Sequence, residues 1–126
     1  MKKQISENLF IQAEDLLDAA YEELQRAEED VVTPAVCYNA KKTIINFMEG
    51  FLIRNMQAPS GPMSMEQLRA ACARIDPAFN ELDFSGLNCK HSKELDPAEF
   101  CMSVDKVRSC YDVAVDIKEL IQRSAK

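Results

Sequence analysis

Apolar residues recur along this chain at intervals of three and four positions, which is the spacing of one face of an α-helix. The first such stripe predicts a helix over residues 6–30 and consists of Leu9, Ala13, Leu16, Ala20, Leu24 and Ala27. A second stripe consists of Ala40, Ile44, Phe47 and Phe51, and its apolar arc is widened by Ile45, Met48, Leu52 and Met56. A helix that is apolar over so broad an arc is expected in the middle of a bundle or at an interface.

Two further helices follow the same period. Leu68, Ala71, Cys72 and Ile75 predict a short third helix, and Phe79 and Leu82 add one or two turns after Pro77. The last helix is predicted to start near Asp96 and carries Phe100, Val104, Val107, Tyr111, Ala114, Ile117 and Ile121 on one face.

Proline and capping residues mark where these helices begin. Thr33-Pro34, Asp76-Pro77 and Asp96-Pro97 each place a capping side chain before a proline, which is tolerated in the first turn. Residues 64–67 and 96–99 have the form of a capping box. No segment alternates with period two. The sequence therefore predicts a single all-α domain over residues 1–126, an up-down helical bundle of three long helices and one or two short ones.

Charge is concentrated at one end of the chain. The net charge is −6, and residues 1–30 account for all of it with nine acidic and three basic side chains. An acidic chain does not attract nucleic acid through its net field, so any phosphate binding must be local. The acidic segment is predicted to be a solvated face, and a docking surface for a basic partner is the alternative.

The five cysteines form no Cys-x-x-Cys pair, and their odd number argues against a structural metal site or a disulfide framework. No apolar signal segment is present near the N-terminus, and no stretch has the ~20 apolar residues of a membrane span. These features predict a cytoplasmic protein with reduced thiols, and no pattern indicates a metal or a cofactor.

The longest irregular stretch, residues 84–95, holds the candidate chemistry. Lys90 and His91 offer an ammonium group and the chain's single imidazole, which together suit a phosphate group. A solvated loop histidine is the simpler interpretation of His91. Lys41 and Lys42 lie near the predicted start of the second helix, where cations need an anion close by. Acidic residues at the end of the first helix would supply that anion, and a bound phosphate is the alternative.

Two other groups could carry chemistry. Glu14, Asp18 and Glu22 follow one face of the first helix; Glu22 can pair with Arg26, whereas the other two have no basic partner on that face. Cys37, in the first turn of its helix, would be a reactive thiol if exposed, whereas Cys72 and Cys110 are predicted to pack as small hydrophobes.

Residues 36–53, with the sequence VCYNAKKTIINFMEGFLI, resemble the central helix of HEPN domains. The preceding helix with Ala19-Ala20, the element from Leu68 to Phe79 and the long closing helix follow in the same order. The resemblance implies a helical bundle that is often a homodimer, binds nucleotides or RNA, and in many members partners a small nucleotidyltransferase. Members that are RNA-cleaving toxins carry Arg-x4–6-His, but here the positions before His91 are Phe84, Ser85 and Gly86, so that motif is absent.

The sequence thus predicts a non-catalytic HEPN-like association module, with a homodimer and a nucleotidyltransferase as expected partners. One alternative is a nucleotide- or RNA-binding module that uses Lys41, Lys42, Lys90 and His91. The other is a toxin-type ribonuclease in which His91 meets an arginine from elsewhere, such as Arg54, Arg74 or Arg108.

Overall fold

A computed structural model describes residues 2–27, 31–61, 63–82 and 104–124 of the protein. These residues form four α-helices and one 3₁₀ helix: α1 (Lys2–Leu24), α2 (Thr33–Arg54), α3 (Met65–Ile75), the 3₁₀ helix (Pro77–Glu81) and α4 (Val104–Ser124). No strand occurs within the described ranges. The predicted all-helical bundle is confirmed, including the short turn after Pro77. The predicted start of the last helix near Asp96 lies outside the described residues.

Helix α2 is the centre of the bundle, because α1, α3 and α4 all pack against it. Its largest fully buried side chains are Ile44, Met48, Phe51 and Leu52. The broad apolar arc predicted for this helix is therefore confirmed. One strip of α2 stays outside the core, where Tyr38 keeps 63% of its surface exposed.

The start of α2 differs from the prediction. Thr33 is already helical, the N-cap is Val32, and no side chain caps the helix. The backbone N–H of Val32 instead donates to Oε2 of Glu23 at 2.9 Å. Glu23 also accepts from Arg26 at 3.2 Å, so the predicted pair between Glu22 and Arg26 is replaced by a pair one residue along. One carboxylate thus ties the end of α1 to the start of α2.

Small residues let α1 and α2 approach closely along an antiparallel seam. Ala13 and Ala20 of α1 and Ala40 of α2 are fully buried. The Thr43 hydroxyl lies 2.7 Å from the carbonyl oxygen of Asn39 and 3.2 Å from that of Ala13 on the neighbouring helix. Gly50 has no room for a side chain, because an added Cβ would lie 2.7 Å from Cε1 of Phe10 on α1.

The predicted stripe on α1 is only partly the core face. Ala13, Ala20 and Leu24 are buried as expected, and Leu17 joins them. Leu9 and Leu16 are only half-buried, and the helix ends at Leu24, so Ala27 lies beyond it and is exposed. The physical reason is that the predicted residues do not all lie on one side of the helix. Ala13, Ala20 and Leu24 lie on the face that meets the core, whereas Leu9 and Leu16 lie on the flank beside it.

Helices α2 and α4 run in the same direction. Val36, Cys37 and Ala40 of early α2 cluster with Val107 and Cys110 of early α4. The later buried residues of both helices form a second cluster with α3 and the 3₁₀ helix. The three long helices are therefore arranged with α1 antiparallel to the other two.

The two predicted short helices are present, and they pack against the end of the core formed by late α2 and late α4. The capping box at Ser64 and Gln67 is present, with backbone-to-side-chain distances of 3.1 and 2.8 Å. Asp76 accepts a hydrogen bond from the backbone N–H of Ala78 at 3.0 Å and so starts the 3₁₀ helix. Phe79 is buried against Phe51, with ring centroids 5.0 Å apart. The second predicted capping box, at 96–99, lies outside the described residues.

Helix α2 ends in a turn that normally requires glycine. The backbone N–H of Gln57 donates to the carbonyl of Leu52 at 2.8 Å, and that of Met56 donates to Ile53 at 3.1 Å. This is the Schellman pattern, in which the residue after the C-cap adopts the left-handed conformation. Met56 occupies that position with φ of 64° and leaves 68% of its side chain exposed.

We expect Met56→Gly to stabilise the protein by about 0.5–1 kcal/mol, because glycine removes the strain of a left-handed side chain at the cost of greater chain entropy in the unfolded state. Chemical denaturation measures the change. Met56→Ala is the control, since it removes the exposed side chain but keeps the Cβ, and it should give no stabilisation. Equal stability of the wild type and the glycine variant would contradict the proposed strain.

We expect Gly50→Ala to destabilise the protein by about 1 kcal/mol, because the added methyl displaces the Phe10 ring from its packing against Phe47 and Arg54. In a Phe10→Ala background the same substitution should instead stabilise by about 0.5–1 kcal/mol, as alanine does in a helix interior. A double-mutant cycle on the free energy of unfolding measures this sign change, and additive effects would rule out the contact.

Candidate functional site

Only half of the sequence-predicted phosphate site lies within the described residues. Lys42 is exposed on α2, and Lys41 is half-buried and engaged in an interaction of its own. Both lie in the third turn of α2, which begins at Thr33, and the helix dipole acts mainly within the first turn. Lys90 and His91 fall outside the described ranges. The four residues are therefore not brought together by any described contact.

The arginines considered as partners for His91 have different surroundings. The Arg54 guanidinium carbon lies 5.4 Å from the ring centre of Phe10 and 5.3 Å from that of Phe51. Burial lowers the pKa of Arg54 from its usual value. Arg108 is exposed, and Arg74 lines a cleft. Arg54 thus closes the end of the α1–α2 pair by cation–π contact rather than standing free for phosphate.

A cleft of about 380 Å³ lies between the end of α2 and α3. Its walls are polar and apolar in equal parts, and Arg74 is the ionisable side chain among the described residues that form them: Leu52, Gln57, Ala58, Pro59, Ser60, Met63, Ala71, Arg74 and Ile75. The volume is at the small end of the range for ligand pockets.

The prediction that Cys37 could be a reactive thiol is wrong, because α2 packs its first turn into the core and buries this side chain. Cys72 and Cys110 are buried as predicted. The Cys72 thiol donates to the carbonyl oxygen of Met48 at 3.6 Å, and burial raises its pKa to about 12. These thiols are packing residues.

Glu14 finds its basic partner on another helix rather than on its own face of α1. Lys118 of α4 reaches it with an Nζ–Oε1 distance of 3.4 Å. The sequence could not show this pair because it joins helices more than one hundred residues apart along the chain. No group of three or more potential metal ligands occurs among the described residues.

An apolar strip on α1 packs against neither of the two core clusters. It runs along one flank of the helix and consists of Ile5, Leu9 and Leu16, of which Ile5 is 50% exposed. Glu14 and Tyr21 face α4, through Lys118 and through a ring contact with Tyr111 at 6.1 Å. At 100° per residue, Leu9 and Leu16 lie about 140° round the helix from those two residues. The strip therefore faces away from α4.

The neighbouring strip of α2 completes a surface that we call the outer face. Opposite the buried side of α2, the helical period aligns Tyr38, Lys42, Glu49 and Ile53, with Asn46 on the side nearer α1. Ile53 is half-buried and, like Leu9 and Leu16, belongs to neither core cluster. The outer face thus combines two helices, an apolar flank and two charges of opposite sign.

Asn46 is a buried polar side chain of this region whose amide nitrogen lacks a hydrogen-bond partner among the described residues. It is only 3% exposed, and its Nδ2 makes no hydrogen bond within the described part of the molecule. It lies on α2 between Thr43 and Gly50, the residues that contact α1. A buried amide without a partner costs free energy, so this position is not explained by packing alone.

Sequence reasoning assigned Leu9 and Leu16 to the core and did not select Asn46. A signal for the outer face was present, because Ile5, Leu9 and Leu16 repeat at intervals of four and seven beside the core positions. The predicted stripe on α1 combines this outer strip with the neighbouring core positions Ala13, Ala20 and Leu24.

Comparison with protein-family models, with curated proteins and with solved structures found no match to the chain. The HEPN resemblance therefore stays a prediction. None of the described helices combines the length and hydropathy needed to cross a lipid bilayer.

The raised pKa of Cys72 predicts how stability changes at alkaline pH. An unfolded thiol ionises at about 8.5, whereas the folded one keeps its proton to about pH 12, so the folded state binds more protons in between and loses stability as pH rises. We expect the free energy of unfolding of the wild type to fall more steeply above pH 9 than that of Cys72→Ala. Denaturation at several pH values measures both slopes, and parallel slopes would contradict the shift.

Proposed function

We propose that this protein is a non-catalytic association module and that a second copy of the same chain covers its outer face. The observation that carries the proposal is the apolar strip of Ile5, Leu9 and Leu16, which is held on a rigid helix and excluded from the core. Removing such a strip from water is the main driving force for protein association.

The size of the outer face fits a reversible dimer. The face runs from Tyr38 to Ile53, about 22 Å along α2, and two packed helices are roughly 20 Å wide. Its surface is therefore roughly 450 Å² per copy, which is below the ~800 Å² that each partner buries in a standard interface and within the range of weak, transient complexes.

The HEPN resemblance adds support, since that family is often dimeric. A nucleotidyltransferase as a further partner remains part of the proposal on the resemblance alone.

The alternative of nucleotide or RNA binding receives less support from the described residues. Lys42 belongs to the outer face, and Lys41 is half-buried and engaged. The absence of an Arg-x4–6-His motif weighs against a ribonuclease.

Sedimentation velocity from low to high micromolar concentration tests the proposal, and we expect a reversible monomer–dimer equilibrium. A chain that stays monomeric throughout this range would overturn self-association. Binding of short RNA by a strictly monomeric chain in a calorimetric titration would instead favour the nucleic-acid-binding alternative, whereas a nucleotidyltransferase that binds the dimer would be consistent with the proposal.

We expect Ile5→Glu to weaken dimerisation at least about tenfold, because it places a charge that must lose its water within the apolar strip. Ile11→Glu is a matched control: Ile11 is on the same helix and 57% exposed, but it lies about 120° away from Ile5, off the outer face. It should leave the dimer unchanged. Circular dichroism checks that both variants fold. Equal weakening by both would contradict a role for this face.

A further inference from the structure

The pairing of α1 with α2 fixes which residues of the outer face lie at the same height. The hydrogen bond from Thr43 to the carbonyl of Ala13 places those two residues level with each other. Because the helices are antiparallel, each step forward along α2 corresponds to one step back along α1. A point halfway between residues 45 and 46 of α2 is therefore level with a point halfway between residues 10 and 11 of α1.

The charges on α2 are arranged symmetrically about this height. Lys42 and Glu49 are separated by seven residues, about 10.5 Å along the helix, and their midpoint lies between residues 45 and 46. Neither forms an ion pair with another described residue. A two-fold axis across α2 at this point brings Lys42 opposite Glu49 of a second copy, and Glu49 opposite Lys42. It also brings Tyr38 opposite Ile53.

Two of the three apolar residues of the strip on α1 are placed symmetrically about the same height, and the third, Leu9, lies opposite a polar residue. Ile5 and Leu16 are equally far from the point between residues 10 and 11, and so are Leu9 and Gln12. The axis that pairs the opposite charges of α2 therefore also places Ile5 opposite Leu16 of the second copy. Two helices with unrelated sequences thus share one centre, which is what a self-complementary two-fold interface requires.

From this symmetry we infer that the outer faces of two copies pack antiparallel, with the two-fold axis crossing α2 beside Asn46 and pairing Lys42 with Glu49 in both directions. This register deepens the proposed self-association and depends on it. A parallel arrangement is excluded by charge, because it would set Lys42 against Lys42 and Glu49 against Glu49.

Charge reversal tests this register. We expect Lys42→Glu and Glu49→Lys each to raise the dimer dissociation constant about tenfold at low salt, because each replaces two attractions by two repulsions. The double variant, Lys42→Glu with Glu49→Lys, should return to within about twofold of the wild type. Within one chain these residues are too far apart to pair, so recovery reports contact between copies. Arg108→Glu, an exposed reversal on α4, is the control and should have no effect.

The outcomes separate this register from the proposed function. If the protein dimerises and Ile5→Glu weakens the dimer, but the two reversals do not, the outer face is the interface and the antiparallel register is wrong. Assembly that grows beyond a dimer with concentration would also overturn the register, because a two-fold contact closes on itself. If the wild type stays monomeric, the self-association itself fails.

Discussion

The close contact between α1 and α2 is the constraint on which the rest of the structure depends. Small alanine side chains allow the two backbones to approach, Gly50 leaves room for the Phe10 ring, and the Thr43 hydroxyl meets the Ala13 carbonyl across the seam. This contact fixes the rotation and the height of both helices. The rotation decides which side chains of α2 remain for α3 and α4, and it leaves one flank of α1 outside the core. The outer face is therefore a consequence of the seam and not a separate feature.

Most of the fold could be predicted from the sequence because its signals are local. The period of three and four, the prolines and the capping box at Ser64 each depend on residues within one or two turns. The predictions fail where a contact with a residue distant in sequence determines the local structure or the partner of a side chain. Thr33 does not cap α2, because the helix already includes it and Val32 is the N-cap, whose backbone N–H donates to Glu23 of the previous helix. Glu14 finds its partner in Lys118, which no local pattern on α1 could indicate.

The candidate site was less predictable for a related reason. Apolar residues on an amphipathic helix signal burial, but they do not show whether the burial occurs within one chain or between two. Leu9 and Leu16 have the same spacing as core residues and differ from Leu17 only in their direction from the helix axis. That direction is set by the seam. The candidate lysines and the single histidine were selected for their chemistry, but no contact among the described residues brings them together.

The same-direction arrangement of α2 and α4 has a consequence for the order of folding. Contacts across the α1–α2 seam join residues about 30 positions apart, whereas those that dock α4 onto early α2 join residues about 70 apart. The free energy of loop closure for the longer connection exceeds that for the shorter one by no more than about 1 kcal/mol. Contacts between residues distant in sequence nevertheless form later during folding. Every residue of the outer face precedes Arg54. During synthesis every residue of this face thus leaves the ribosome before α4, and if the proposed dimer forms, two nascent hairpins are able to meet through it before either chain has completed its own core.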